Sequence, residues 1–308
     1  MAKLNKSKHE EAKIAFSIAL RTFVNRLTEH VSAEDGGWTV KGFIDIYKNI
    51  YTISSDTKIV SKILEIHLFP QILQFSDEYK YSIVLAESQN WYPDLSFVNK
   101  EDPGIKFALD IKTTYRDPDF PGHVNGFTLG SHGTYFKDRS STKNIQFPYG
   151  EYSGHFCLGI IYTRTDCKDL DETEIINVTE LADKTDMPQR IGQRKITKVE
   201  SLRSITSVIK DFQFFLCEKW QLASDRQGSH NTANIGSITY IEDILKGNGI
   251  FAKLGEDWFD EYWMNYGLST MKKKGKTITI TRIEDFLDFK RSKKLKGSIV
   301  PVVTKRKR

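Results

Sequence analysis

The stretch that decides the fold is Tyr92-Pro93-Asp94-Leu95-Ser96-Phe97-Val98, followed after a short break by Ile105-Lys106-Phe107-Ala108-Leu109-Asp110-Ile111-Lys112-Thr113-Thr114-Tyr115. Ile105, Phe107, Leu109 and Ile111 alternate with Lys106, Ala108 and Asp110, and a period of two predicts a strand. Residues i and i+2 of a strand share a face, so Asp110 and Lys112 project together while Ile111 points to the other side. Asp94 heads a second strand-like run, 95–98, just after a Tyr-Pro turn. The segment 99–104 is rich in turn formers, and if it joins the two runs as neighbours the carboxylates of Asp94 and Asp110 converge. Converging carboxylate oxygens suit a hard divalent cation; Mg²⁺ takes one or two carboxylates plus waters and phosphate oxygens. An acid two residues before a lysine is also common on solvent-facing strands, so this pattern needs support from the remaining residues.

Working outward, 308 residues are enough for one large domain or two smaller ones, each with a core. An apolar fraction of 39% with 28% charged residues describes a soluble globular chain. No apolar run approaches bilayer-spanning length, and residues 1–13 are polar, unlike a secretion signal. Cys157, Cys167 and Cys217 are odd in number, far apart and without a CxxC pair, which argues against a disulfide framework or structural zinc and for a reducing cytoplasm. A net charge of +5 says little about partners. The basic clusters 291–296 and 305–308 can bind phosphate backbones or simply be solvated.

Residues 10–31 carry apolar positions at helical spacing up to the Gly36-Gly37 break, and 38–53 reads as extended segments. Ser55-Asp56 caps a second helix that contains Glu65 and His67; His67 has no second ligand at metal spacing and is expected to be a packing residue. Strands are expected at 81–86, 92–98, 105–114 and 156–162, and a long polar insertion at 165–198. The aromatic-rich run 210–222 reads as a buried strand, 226–236 as an exposed polar loop, and 240–245 and 257–266 as helices. This order predicts an α/β or α+β fold with a mixed central sheet. No glycine motif for a dinucleotide or P-loop site is present.

Beyond these patterns the chain resembles type II restriction endonucleases within the PD-(D/E)xK nuclease superfamily. The resemblance rests on Ser54-Ser55-Asp56-Thr57-Lys58, Gln89-Asn90-Trp91-Tyr92-Pro93-Asp94 and Asp110-Ile111-Lys112-Thr113-Thr114-Tyr115. In the same order follow Phe127-Thr128-Leu129-Gly130, Thr142-Lys143-Asn144-Ile145, Tyr162-Thr163-Arg164, Asn234-Ile235-Gly236-Ser237-Ile238 and Gly247-Asn248-Gly249-Ile250-Phe251. It implies an α/β, restriction-endonuclease-like fold, a mixed central sheet flanked by helices. It divides the chain into an N-terminal extension (1–20), a catalytic and DNA-binding domain (21–290) and a basic tail (291–308).

The same resemblance implies a Mg²⁺-dependent homodimer that cuts double-stranded DNA. Asp94, Asp110 and the helix residue Glu65 look like metal ligands, and Lys112 like the residue that orients the attacking water and stabilises phosphate charge. Thr57 and Lys58 match positions near DNA and subunit contacts, while Thr114, Thr134 and Lys143 match positions that meet the backbone. Gln89 and Asn90 match a minor-groove loop. Gly228, Ser229, His230, Asn231, Thr232, Ala233 and Asn234 match a major-groove loop, where an Asn can pair with adenine and a threonine methyl can pack on thymine. Subunit contacts are expected in 38–53 and 152–157. A GATATC site cut bluntly at its centre is the leading expectation. His230 in place of glycine, Ala233 in place of threonine and Trp91 in place of histidine depart from the pattern at the reading loops. A repair or junction nuclease with the same core, and a non-catalytic DNA-binding protein of this fold, are the alternatives.

Overall fold

The computed structural model describes residues 2–88, 90–166, 175–178, 190–191, 194–195, 202, 205–228 and 233–293. Helices α1 (Ala2–Val24) and α2 (Leu27–Val31) lead into the hairpin β1 (Gly42–Ile44) and β2 (Asn49–Thr52), and then into α3 (Thr57–Glu78). Strands β3 (Tyr81–Leu85), β4 (Leu95–Asn99), β5 (Lys106–Tyr115) and β6 (Thr128–Ser131) follow, then α4 (Thr134–Lys137) and β7 (Gly154–Arg164). Three short strands come next, β8 (Ile175–Asn177), β9 (Arg190–Ile191) and β10 (Arg194–Lys195), before the long β11 (Ile209–Glu218). The last part holds α5 (Lys219–Leu222), β12 (Ala223–Gln227), β13 (Asn234–Ser237), α6 (Ile241–Lys246), α7 (Glu256–Asn265), the hairpin β14 (Thr270–Lys273) and β15 (Lys276–Thr279), and α8 (Ile283–Ser292).

The central sheet has the order β11-β7-β5-β4-β3. It is mixed, because β5 and β7 run parallel while β3, β4 and β5 form an antiparallel meander and β7 pairs antiparallel with β11. That is the restriction-endonuclease-like α/β fold expected from the sequence. β5 lies in the middle and shows the expected alternation. Phe107, Leu109 and Ile111 belong to one core layer and Ala108 to the other. In the first layer Phe16 of α1 stacks on Phe107 at 4.1 Å between ring centroids, and Val60, Leu64, Leu68, Ile72 and Phe75 line the buried stripe of α3. Asp56 caps α3 as expected, its side chain accepting from the backbone N–H groups of Lys58 and Ile59. His67 is a packing residue that accepts from Trp38 Nε1 at 3.3 Å.

Several expectations need correcting. The first helix begins at Ala2, eight residues earlier than its apolar periodicity suggests, and runs without a break through residue 20; Phe16 and Leu20 are buried. Its first turns carry good helix formers without an apolar face, so periodicity misses them. The expected buried strand 210–222 stops at Glu218, where a capping box with Gln221 turns the chain into α5. Little of residues 152–157 is open to a subunit contact as placed: Tyr152, His155, Phe156 and Cys157 are all under 10% exposed. In the polar insertion, β8 adds a third strand to the β1–β2 hairpin, and most of the remainder lies outside the described residues, as does the basic tail from 294.

Candidate active site

Asp94 stands one residue before β4, and the register Leu95↔Leu109 sets it beside Asp110 on β5. Two backbone groups fix the pair. The Ile111 N–H donates to Asp94 Oδ2 at 2.7 Å, and the Asp94 N–H donates to Asp110 Oδ1 at 3.3 Å. Lys112, two residues on and on the same face, places Nζ 3.0 Å from Asp110 Oδ2 and 3.8 Å from Asp94 Oδ2. The strand period therefore produces the acid–acid–lysine cluster that the sequence suggested.

Electrostatics set the protonation states. Burial, with Asp110 adding to it and Lys112 opposing it, pushes the Asp94 carboxyl up to about 6. Burial works against the Lys112 charge, but Asp110 and Asp94 outweigh it and hold the ammonium above its ordinary value. Lys112 is thereby held as a cation beside the two carboxylates, a hydrogen-bond donor and a positive charge. Asp94 is a carboxylate with too little positive charge around it. Asp94 in that condition, with the carboxylate oxygens of Asp110 beside it, fits Mg²⁺, whose remaining ligands would be water and phosphate oxygens.

One cleft of about 420 Å³ gathers Asp94, Asp110 and Lys112 with Asn90, Thr134, Lys143, Asn144 and Asn234. Residues far apart in the chain and separately expected at a DNA interface thus meet around the carboxylates. Asn234 arrives on β13, which belongs to a second sheet of order β12-β13-β6. The β12–β13 connection is the expected major-groove loop. At its foot Gly228 donates its N–H to Asn234 O at 3.1 Å, and Gln227 hydrogen-bonds to buried His132. The need for glycine at 228 is internal. A Cβ there would lie 2.8 Å from Thr128 Cγ2 and 3.1 Å from Gly236 Cα.

Not every expected residue joins the cluster. Glu65 lies on α3 in a neighbouring pocket shared with Asp94, but its carboxylate pairs with Lys62 Nζ at 2.7 Å. Among the described residues no group of three His, Cys, Asp or Glu side chains is close enough to hold a metal, and Glu65 does not join Asp94 and Asp110 in one cluster in this arrangement. Thr114 is 3% exposed with its hydroxyl unpaired, and does not line the cleft. Gln89, Ser229, His230, Asn231 and Thr232 lie outside the described residues.

Sequence reasoning missed the floor of the site. Tyr92 packs on Tyr135 and Tyr149, and its hydroxyl shares a hydrogen bond with His155 Nδ1 at 3.0 Å. Beside it lies Lys219, 3% exposed, whose ammonium burial lowers to about 7 while Asp110 draws it upward. A lysine amid the aromatic run 212–220 is the one signal that could have marked it.

An acidic pair and lysine on the central strands of this mixed sheet, facing a cleft lined by amide and hydroxyl side chains, define the class: a PD-(D/E)xK-type nuclease. Comparison with known proteins gives the branch. The family described as "Restriction endonuclease EcoRV" matches residues 34–192 and 186–291. Type II restriction enzyme EcoRV of Escherichia coli is 31% identical over 255 residues, covering 82% of this chain and 93% of that protein. The chain belongs to the EcoRV family of restriction endonucleases, and is an EcoRV-like type II site-specific deoxyribonuclease.

Proposed function

We propose that the enzyme hydrolyses phosphodiester bonds of double-stranded DNA with Mg²⁺, as a homodimer, at GATATC with blunt ends. The observation that carries this reading is the joining of Asp94, Asp110 and Lys112 with Asn90, Lys143 and Asn234 in one cleft. Asp94 and Asp110 would hold the ion, which when bound supplies Lewis-acid polarisation of a phosphoryl oxygen and a more acidic water. Lys112 donates to the phosphate and stabilises the negative charge that develops there. Lys143 and Thr134, on the cleft wall, position the backbone without reading sequence, and the loops beginning at Asn90 and Gly228 approach base edges.

An exposed apolar face supports the homodimer. Phe43, Ile44, Ile46 and Tyr47 of the β1–β2 hairpin are each more than half exposed, with Ile175 of β8 beside them. Faces of this kind on a globular chain mark protein contacts. Among the described residues no helix is long and apolar enough to cross a membrane. A cytoplasmic location, where the enzyme meets DNA, is part of this proposal.

The metal claim has a test that needs no DNA. The Asp94 pKa is raised on folding from 3.8 to about 6, so its contribution to stability is fully present below about pH 4 and is lost as pH rises through about 6. At pH 7.5 in EDTA, Asp94→Asn should therefore melt above the wild type. With the side chain a third exposed, solvent screening reduces the gain to about 1 kcal/mol, or about 2 °C. Added Mg²⁺ should raise the wild-type Tm and leave that of Asp94→Asn unchanged. An equal Mg²⁺ shift in both proteins would remove Asp94 from the metal site.

A further inference from the structure

Lys219 has no part in the chemistry above, yet it is a buried charge-bearing side chain beside the site. Its Nζ is buried and makes no hydrogen bond. An unpaired ammonium inside a protein is unfavourable, and for stability alone an apolar side chain of the same length would serve better. What surrounds the charge is an aromatic box. Nζ lies 4.7 Å from the ring centroid of Tyr92 and 5.4 Å from those of Phe136 and Tyr149. Space for it comes from Gly130, at φ +80°, where a Cβ would stand 3.5 Å from Nζ and 3.2 Å from the Tyr135 hydroxyl.

The box adjoins the carboxylates, since Tyr92, Gly130 and Tyr135 line the same cleft as Asp94 and Asp110. Tyr92 is two residues before Asp94, and its backbone is tied to the Lys143 segment by Tyr92 N–H to Asn144 O at 3.1 Å and Gln146 N–H to Tyr92 O at 2.9 Å. Among the charges acting on Lys219, that of Asp110 is the strongest. The residue also opens α5, which runs directly into β12 and so to the Gln227-Gly228 foot of the expected reading loop. It stands where the cutting centre meets the sheet that carries that loop.

We propose that Lys219 is a positioning residue of the cutting centre: from its aromatic box it braces the Tyr92 turn that presents Asp94 and, in its protonated form, supplies a positive charge near the Asp94–Asp110 pair. The proposal rests on the nuclease reading above. A positive charge near two carboxylates opposes the binding of a dication to them, and it also supports negative charge gathering at the phosphate. Its removal therefore has an unusual signature, tighter metal binding together with slower cutting. Lost packing alone loosens a metal site and has no reason to tighten it.

The test compares the wild type with Lys219→Met, which keeps the stem length and loses the charge. At pH 6.5, Mg²⁺ titrations followed by thermal shift should give a half-saturation roughly fivefold lower for the variant. Its melting temperature in EDTA should be no lower than that of the wild type, and kcat for DNA cleavage should fall about tenfold with KM unchanged. Lys219→Arg, which retains the charge, should keep the wild-type half-saturation. An unchanged or weaker Mg²⁺ affinity in Lys219→Met overturns the proposal, whatever happens to cleavage. Lys219→Gln takes its place if Lys219→Met does not fold, and failure of both to fold makes the residue structural and also overturns it. A wild type that neither binds Mg²⁺ nor cuts DNA would instead sink the nuclease reading, a result seen before any variant is made.

Discussion

Replacing Asp110 with alanine should abolish DNA cleavage and leave the fold intact. The cleavage rate is expected to drop at least about a thousandfold, equivalent to about 4 kcal/mol of lost transition-state stabilisation. Asp110 faces both its neighbours: it accepts from the Asp94 backbone N–H and pairs with Lys112. Its removal takes one of two carboxylates from the cation and releases Lys112 toward Asp94 alone, 3.8 Å away. The fold should tolerate the change, since the lost hydrogen bond is long, at 3.3 Å, and crowding of negative charge beside Asp94 is relieved. Circular dichroism and melting should match the wild type to within about 2 °C. Substantial Mg²⁺-dependent cutting by the folded variant would contradict the assignment.

The largest expected loss of stability lies on β7, at Gly159. It pairs in register with Lys112 on β5 on one side and with Phe215 on β11 on the other. The Phe215 ring lies over it, and a methyl built at Gly159 would overlap ring carbons. Phe215 is itself 5% exposed in a filled core layer, so the ring cannot swing aside without displacing neighbours. Gly159→Ala should cost about 3 kcal/mol by overpacking and lower Tm by roughly 6 °C. Because Gly159 is the strand partner of Lys112, cleavage should weaken as well. A Tm loss under about 2 °C would show that the ring is far less confined than its burial indicates.

Much of this site could be read from local sequence because its geometry is local. Alternation in 105–111 identifies β5 and one turn separates it from β4, so the antiparallel register brings Asp94 to Asp110 with no long-range contact to infer. The central sheet and the Asp56 cap were legible for the same reason. What escaped depends on tertiary packing. Thr114 is on the same strand face as Asp110 and Lys112, yet burial of that end of β5 keeps its hydroxyl out of the cleft. Glu65 has the expected helix, but Lys62, three residues earlier, occupies its carboxylate. Lys219 reads as part of a strand until the capping box at Glu218 bends the chain and carries it beneath Tyr92. Matched segments in constant order contributed what no spacing could, the expectation that residues near 90, 143 and 234 each meet DNA.

We propose that Asp94, Asp110 and Lys112 form the cutting centre of this endonuclease. The most direct test is digestion of a fully sequenced plasmid with the purified protein, with the ends mapped by sequencing. The expected result is a set of discrete fragments that appear with Mg²⁺ and vanish in EDTA. Every end should fall within one short recognition sequence, blunt at the centre of GATATC. No cutting of intact duplex, cutting confined to branched or mismatched DNA, or ends scattered without a common sequence would contradict it.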